Sequence, residues 1–417
     1  MSDLGRVLRA DARRTALVFA VPILALAGVA TAWQATLAGL PGVAYWDNTV
    51  VALASAVRLL GPCAAALAAW VAVREHRLDY LRGLTPRSPA IGPLLDLMLL
   101  TGVALAAYGV VALVTVCDTL LREGAGRPHP LGIVAGAAAL APHVVLGYLC
   151  GRIAPFPMVV LPVAGAAGLW TALRGGGWWS LLPPAAIRPV ELFTGLRTRV
   201  LADQTLWALG LAATLTLAYV WTLTRRRTLA VPLAVAVAVT AISTVRLEAS
   251  GGSAVVPAPI DHVCREWPLT VCVHPALRPA LPALDAAMTP LAARLAGTPG
   301  AFSRVEQRPV GEPARIWRGV AYIRVPDLSP GFEWRAVREL RASLIDAQSC
   351  AEPHRRHGAA YRGLVDAWLL DERAPEMFDA ETARRFGSWS ERERRLWLRL
   401  NYADYRRCTL VRQSFGG

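Results

Sequence analysis

The chain contains no lysine: all 44 positions counted as lysine or arginine are arginine. That absence excludes a P-loop lysine, a Schiff base and a Ser-Lys dyad. GxSxG, GxxxxGK[ST] and HExxH are missing too. There is therefore no nucleophile elbow, no phosphate-cradling loop and no zincin ligand pair with its general base. Charge is scarce, at 18% of 417 residues. What remains is apolar: 54% hydrophobic residues and a mean hydropathy of +0.39 exceed what a soluble protein of ordinary composition carries. The formal charge of +14 resides in arginines clustered beside apolar segments, where they set membrane orientation rather than bind nucleic acid. Exclusive use of arginine points to GC-rich bacterial coding, and so to a bacterial plasma membrane.

Crossing about 30 Å of hydrocarbon takes roughly 17 to 25 apolar residues as a helix. Such segments fall near 15–34, 49–73, 90–116, 131–150, 157–173, 205–224 and 228–245, giving an α-helical integral membrane protein with about seven spans. The first segment lacks a small-residue cleavage site and is expected to stay as an anchor. With the N-terminus cytoplasmic, the inner segments carry Arg6, Arg9, Arg13, Arg14, Arg74, Arg77, Arg82, Arg87, Arg152 and Arg225 to Arg227. The longer outer loops carry only Arg122, Arg127, Arg174, Arg188, Arg197 and Arg199. This bias follows the positive-inside rule, and an odd number of spans then places everything after Val245 outside. The organisation read from the chain is a six-span domain over 1–227, a seventh helix and linker over 228–259, and an extracytoplasmic domain over 260–417.

The C-terminal domain is expected to be mostly helical with a minor β component. Tyr361, Leu364, Val365, Trp368 and Leu369 recur at the spacing of one buried helix face. Ser390 and Glu393 form a capping box, opening a helix expected to bury Leu396, Leu400 and Ala403. The run VAYIRV at 320–325 reads as a short strand.

Within HVCREWPLTVCVHP, His262, Cys264, Cys272 and His274 could hold a tetrahedral zinc, or the two cysteines could form a disulfide. The HxC and CxH spacing is unlike the usual zinc ligand pairs. An even count outside the membrane, Cys264, Cys272, Cys350 and Cys408, favours disulfides. A Cys264–Cys272 bridge would contribute roughly 2.5 kcal/mol in the chain-entropy model, and a Cys350–Cys408 bridge roughly 4 kcal/mol. Three connectivities remain open for four cysteines. Cys63, Cys117 and Cys150 lie in or beside spans, where a thiol packs as a small apolar group.

His354 and His357 read as a solvated turn, and the carboxylates of Glu391 to Arg395 interleave with arginine as on a solvated helix face. No catalytic constellation emerges, so the chain reads as a non-enzyme without metal or cofactor. Two ionisable residues fall inside spans. Arg58 would lie roughly 13 Å below the outer surface and Asp96 roughly 10 Å above the inner one. They could be functional or could pair between adjacent helices. His143 in the fourth span is cheap to bury neutral if hydrogen-bonded.

Three stretches together resemble the six-span membrane subunit of ABC-2 type transporters, most like actinobacterial versions. They are the basic amphipathic start DLGRVLRADARR, the charged loop VREHRLDYLRGLTPRSP after the second span, and the long loop RGGGWWSLLPPAAIRPVELFTGLRTRV before the sixth. The resemblance covers about 1–227. It implies an N-terminal helix along the inner surface, a loop after the second span docked on a separate ATPase subunit, and a homo- or heterodimer of membrane subunits. The seventh span and outer domain depart from the six-span pattern. The outer domain is similar to C-terminal regions attached to actinobacterial permease-like proteins.

In the segment 74–87, Leu78, Leu81 and Leu84 form an apolar stripe opposite charged residues. Glu75 and Asp79 would weaken attraction to anionic lipid but suit a protein of complementary charge, so Arg74, Glu75, Arg77, Asp79 and Arg82 are the expected ATPase-docking residues. The functional expectation is a permease-like subunit that moves or extracts a substrate with a separate ATPase. The alternative is a non-transporting membrane-anchored sensor that binds a ligand or partner through its outer domain.

Overall fold

A computed structural model describes residues 17–76, 89–172, 177–182, 190–258, 261–351, 356–373 and 379–416. The chain divides into two compact units: one of Met1–Gly39, Ala44–Val190 and Thr194–Ala258, the other of Leu40–Val43, Glu191–Phe193 and Pro259–Gly417.

The first unit is helical: α1 (Leu17–Gly39), α2 (Trp46–His76), α3 (Ile91–Leu121), α4 (Pro130–Ile153), α5 (Val160–Ala172), α6 (Thr198–Thr224) and α7 (Ala230–Ala249). Alanine, leucine and valine dominate these segments, so little but the helix satisfies their backbone. Among the described residues six helices are long and apolar enough to cross a membrane, and the stretch Pro157–Ala172 is a shorter apolar one. That short helix occupies the place of the expected fifth span. The unit also has a two-stranded ribbon of β1 (Thr194–Leu196) and β2 (Val255–Pro257).

Contacts order the helix ends. Tyr45, just before α2, bridges Ala125 after α3, and its hydroxyl donates to the Thr194 carbonyl at 3.1 Å. β1 leads into α6 and pairs with β2, which follows α7. The start of α2, the end of α3 and the starts of α4 and α6 therefore lie at one end of the bundle, with the end of α7 beside them. At the opposite end Arg152 of α4 donates to the Tyr219 hydroxyl of α6 at 3.2 Å. The chain leaves α4 at that far end and enters α6 at the Tyr45 end, so the stretch containing α5 runs the height of the bundle.

Small residues let the backbones approach. A Cβ on Gly147 would lie 2.1 Å from the Ala65 carbonyl oxygen, and one on Gly151 would lie 2.5 Å from that of Ala69. Gly147 and Gly151 of α4 thus face Ala65 and Ala69 of α2 in the small-xxx-small arrangement that membrane helices use to pack.

The second unit is built on a mixed sheet of β3 (Val263–Arg265), β4 (Thr270–Val273), β5 (Arg304–Gln307), β6 (Arg315–Trp317) and β7 (Val320–Ile323), in spatial order β3-β4-β5-β7-β6. β4, β5 and β7 are parallel to one another, and β3 and β6 pair antiparallel at the edges. α8 (Leu281–Leu295) crosses over between β4 and β5, and α9 (Phe332–Ser343) follows β7. The single turn α10 (Ala347–Cys350) and the helices α11 (Arg356–Leu370), α12 (Ala380–Ser388) and α13 (Glu391–Arg407) complete the unit.

The VAYIRV strand appears as β7, and Tyr361, Leu364, Val365, Trp368 and Leu369 are all buried on α11. The Ser390–Glu393 capping box is present at the start of α13. The buried face of α13 differs from the expected one. Leu396 and Leu400 are 56% and 79% exposed and Ala403 is exposed, while Trp397, Leu398, Tyr402 and Tyr405 are buried. The aromatic cluster explains the rotation: Trp397 stacks on Phe415 with centroids 4.6 Å apart, and Phe386 meets Trp368 and Trp397 edge-on. Burying these rings outweighs burying two leucines and an alanine.

Candidate functional site

Proline shapes the middle of the helical unit. Pro62 interrupts α2 and Pro142 interrupts α4, and each removes one intrahelical hydrogen bond. His143 lies at this level, 5% exposed, with Nδ1 2.8 Å from the Ala139 carbonyl. A carbonyl only accepts, so Nδ1 carries a proton and donates it. Gly61 makes room for the ring, since a Cβ there would sit 2.8 Å from Nε2.

Beside His143 a cavity of ≈ 520 Å³ opens between α4, α5 and α6. Pro142, Leu146, Val163, Trp170, Trp207 and Leu211 form much of its wall, and His143 and Cys150 are the titratable groups that line it. Within α5 only Thr171 is buried. The cavity's volume is within the usual range for a small-molecule site, and its chemistry suits an apolar chain or ring rather than an ion.

Toward the far end of the bundle a polar ladder connects three helices. Tyr148 of α4, fully buried, donates to Asp96 Oδ2 of α3 at 2.9 Å, and its ring meets Tyr219 of α6 edge-on at 6.5 Å. Asp96, a candidate from the sequence, is 5% exposed and held by this ladder. Arg58 is half-buried on α2, seven residues before Ala65, roughly 10 Å of helix rise from the Ala65–Gly147 contact. The sequence reading missed Tyr148 and Tyr219, because aromatic residues in a span read as apolar until their hydroxyls meet a partner. At the Tyr45 end, His129 Nε2 lies 2.8 Å from Asp47. The hydrogen bond to that carboxylate raises the His129 pKa above its ordinary value.

Of the expected docking residues, Arg74 and Glu75 lie in the last turn of α2, with the Arg74 guanidinium 5.8 Å from the Trp70 ring centroid. Arg77, Asp79 and Arg82 lie outside the described residues, as do Leu78, Leu81, Leu84 and His354.

In the second unit the zinc-or-disulfide alternative at Cys264 and Cys272 resolves as a disulfide. Cys264 and Cys272 face one another across β3 and β4 and are bonded, as are Cys350 and Cys408. The histidines diverge from a shared centre. His262 Nε2 meets the Gln307 carbonyl at 3.0 Å, while His274 Nδ1 accepts from the Ala276 N–H at 3.0 Å and caps the turn that follows. Both rings pack on Phe193. Among the described residues no group of three or more His, Cys, Asp or Glu could hold a metal.

Near the second disulfide, Asp366 accepts from Arg341 at 3.0 Å and from the Tyr405 hydroxyl at 2.7 Å, and Arg362 lies 3.2 Å away. Burial pushes the Asp366 carboxyl above the usual range, against the pull of both guanidiniums and the hydroxyl. This cluster ties α9, α11 and α13 together and is structural. Only its Arg362–Asp366 member could be read from sequence, as an i,i+4 pair.

No protein-family model, curated protein or solved structure matches the chain.

Proposed function

We propose that this chain is the permease-like membrane subunit of an ABC transporter of the ABC-2 type, working with a separate ATPase and taking an apolar substrate in the crevice beside His143. The crevice carries the reading: a half-enclosed apolar cavity at the level where two packed helices each carry an internal proline. An internal proline is a place where a helix can bend, and α5, which forms one wall of the crevice, can follow such a bend. The polar ladder around Asp96 fits the same reading, since an ionisable residue inside a bundle is costly and is kept where it serves function.

The ordering of helix ends supports seven crossings rather than six, with α5 as the short one. α5 and the turn before it rise about 20 to 25 Å, near the thickness of the hydrocarbon core. Together with the arginine bias, this supports a bacterial chain with its N-terminus in the cytoplasm and its disulfide-bonded unit outside the plasma membrane, where the disulfides would persist.

The test is co-purification of an ATPase encoded beside the chain. Glu75→Arg combined with Asp79→Arg should abolish recovery of the ATPase while leaving membrane insertion intact. Recovery at the wild-type level would remove the docking surface. If the wild-type chain never brings down an ATPase, the permease reading fails and the non-transporting sensor alternative takes its place.

A further inference from the structure

Side chains alternate across the sheet of the C-terminal unit, and its two faces differ in chemistry. One face carries Val271, Val305 and Ala321, all fully buried, together with the buried Ile323. The strand register places Thr270, Arg304, Val320 and Trp317 in one row of the opposite face, and Cys264, Cys272, Glu306, Tyr322 and Arg315 in the next.

That second face is buried at Cys272 and exposed toward β5, β6 and the β6–β7 turn. The Trp317 ring is 56% exposed, and the side chains of Arg304 and Arg308 are 47% and 36% exposed. Tyr322 organises it, with the Arg308 guanidinium 4.5 Å from its ring centroid and that of Arg315 5.5 Å away. Arg304 and Arg308 share a single carboxylate, Glu306, at 3.7 and 3.0 Å. The face is therefore cationic, with two guanidiniums held in place by an aromatic ring before any ligand arrives.

At the edge of this face, Arg318 and Gly319 form the turn between β6 and β7 with φ of 49° and 77°. Such a two-residue hairpin turn matches the strand twist and presents Trp317 at the tip, with Arg318 5.4 Å from the ring. Trp267, 81% exposed, lies in the β3–β4 turn, which precedes β4 at the same edge. The loop segments that join this unit to the helices meet the other edge: Phe193 packs on His262 and His274, and Leu328 donates to the Pro41 carbonyl at 3.0 Å. The tryptophan-bearing turns thus lie at the opposite end of the strands from those joining segments.

We infer that this sheet face binds an anionic glycan, a polymer of sugar rings bearing carboxylate or phosphate groups. Planar guanidinium forks match both kinds of anion, and an exposed indole offers a flat apolar surface to a sugar ring. The charge favours a polyanion over a neutral glycan. The exposed tryptophans favour rings over an acidic peptide, which would need only the arginines. The inference rests on the reading that this unit lies outside the membrane, where such polymers occur.

The test uses the full chain in detergent, with polygalacturonate as the probe, neutral dextran and polyglutamate as comparators, and binding followed by calorimetry. Polygalacturonate should bind and weaken with added salt, and dextran should not bind. Arg308→Ala with Arg315→Ala, and separately Trp317→Ala, should each weaken polygalacturonate binding at least tenfold while both disulfides and the melting temperature stay at wild-type values. Polyglutamate should be insensitive to Trp317→Ala. Wild-type affinity in the variants, or equal affinity for polyglutamate and polygalacturonate, would overturn the proposal. Labelling of Trp317→Cys in intact cells with an impermeant thiol reagent tests the outside placement separately. Absence of labelling with retained binding would overturn that placement and leave the chemistry of the face intact.

Discussion

In the helical unit a seam of small residues, Gly147 and Gly151 against the backbone of Ala65 and Ala69, joins two long helices. The C-terminal unit also has a close glycine approach, Gly358 against the Cys408 carbonyl, but adds large groups: stacked Trp397 and Phe415, the Asp366 cluster and two disulfides. On the placement proposed above, the difference follows from the surroundings. A bundle in an apolar medium gains little by hiding leucine from lipid, so it gains from close backbone approach and from satisfying rare polar groups. A domain in water gains by burying aromatic area and, outside the cell, by covalent staples.

The comparison breaks most sharply at the second disulfide. Replacing Cys350 and Cys408 by alanine should destabilise the C-terminal unit by roughly 4 kcal/mol, against roughly 2.5 kcal/mol for Cys264 with Cys272, because the longer loop constrains the unfolded chain more. Denaturant unfolding of the two double variants checks the order, and equal effects would refute it. The helical unit should be indifferent to both.

Next in size is Gly147→Val. Backbone atoms of α2 stand where the new Cβ must go, so the α2–α4 seam has to open at a cost of about 3 kcal/mol or more. The variant should lose monodispersity in detergent while the C-terminal unit keeps both disulfides. Gly102→Val, at a site where a Cβ meets nothing within 4 Å, is the control and should behave as wild type.

Asp366→Ala should cost about 3 kcal/mol, because Arg341 and Arg362 are left without their shared carboxylate in a largely buried setting. Tyr405→Phe removes one hydrogen bond to that carboxylate and should cost about 1 kcal/mol. The sharper form of the comparison is that neither change should alter thermal unfolding of the helical unit.

The smallest effects are those of pH. Asp379 caps α12, and hydrogen bonds from the Thr382 hydroxyl and N–H hold its carboxyl down at about 2. Its folded value is lower than its unfolded one of about 3.9, so the stabilisation is fully present above about pH 4 and is lost as pH falls through about 2. Asp379→Asn should flatten α12 amide protection across that window. His129 has the opposite sign. Its raised value makes its contribution fully present below its unfolded pKa and lost as pH rises through the folded one. Asp47→Asn should remove that dependence.

Much of the helical unit was legible because a run of about 20 apolar residues has few other folds open to it. The capping box at Ser390 and the stripe from Tyr361 to Leu369 were legible for the same reason, since each rests on neighbours within two turns. The α13 face was not. Leu396, Leu400 and Ala403 share the spacing of Leu398, Tyr402 and Tyr405, so periodicity offers two stripes and only the aromatic cluster across the core chooses between them. The crevice and the cationic sheet face were equally hidden: one depends on how α4, α5 and α6 come together, the other on strand register.

The sequence by itself determined the apolar helices, the absence of lysine chemistry, the arginine bias and the even set of cysteines in the C-terminal unit, because composition and short-range spacing specify each of these. Tertiary structure decided which cysteines bond, that Tyr148 meets Asp96, and that Arg308 and Arg315 converge on Tyr322. Except for the cysteines of the β3–β4 hairpin, these join residues distant in the chain or on different elements. Their partners are selected by packing and register, which no local pattern of residues encodes.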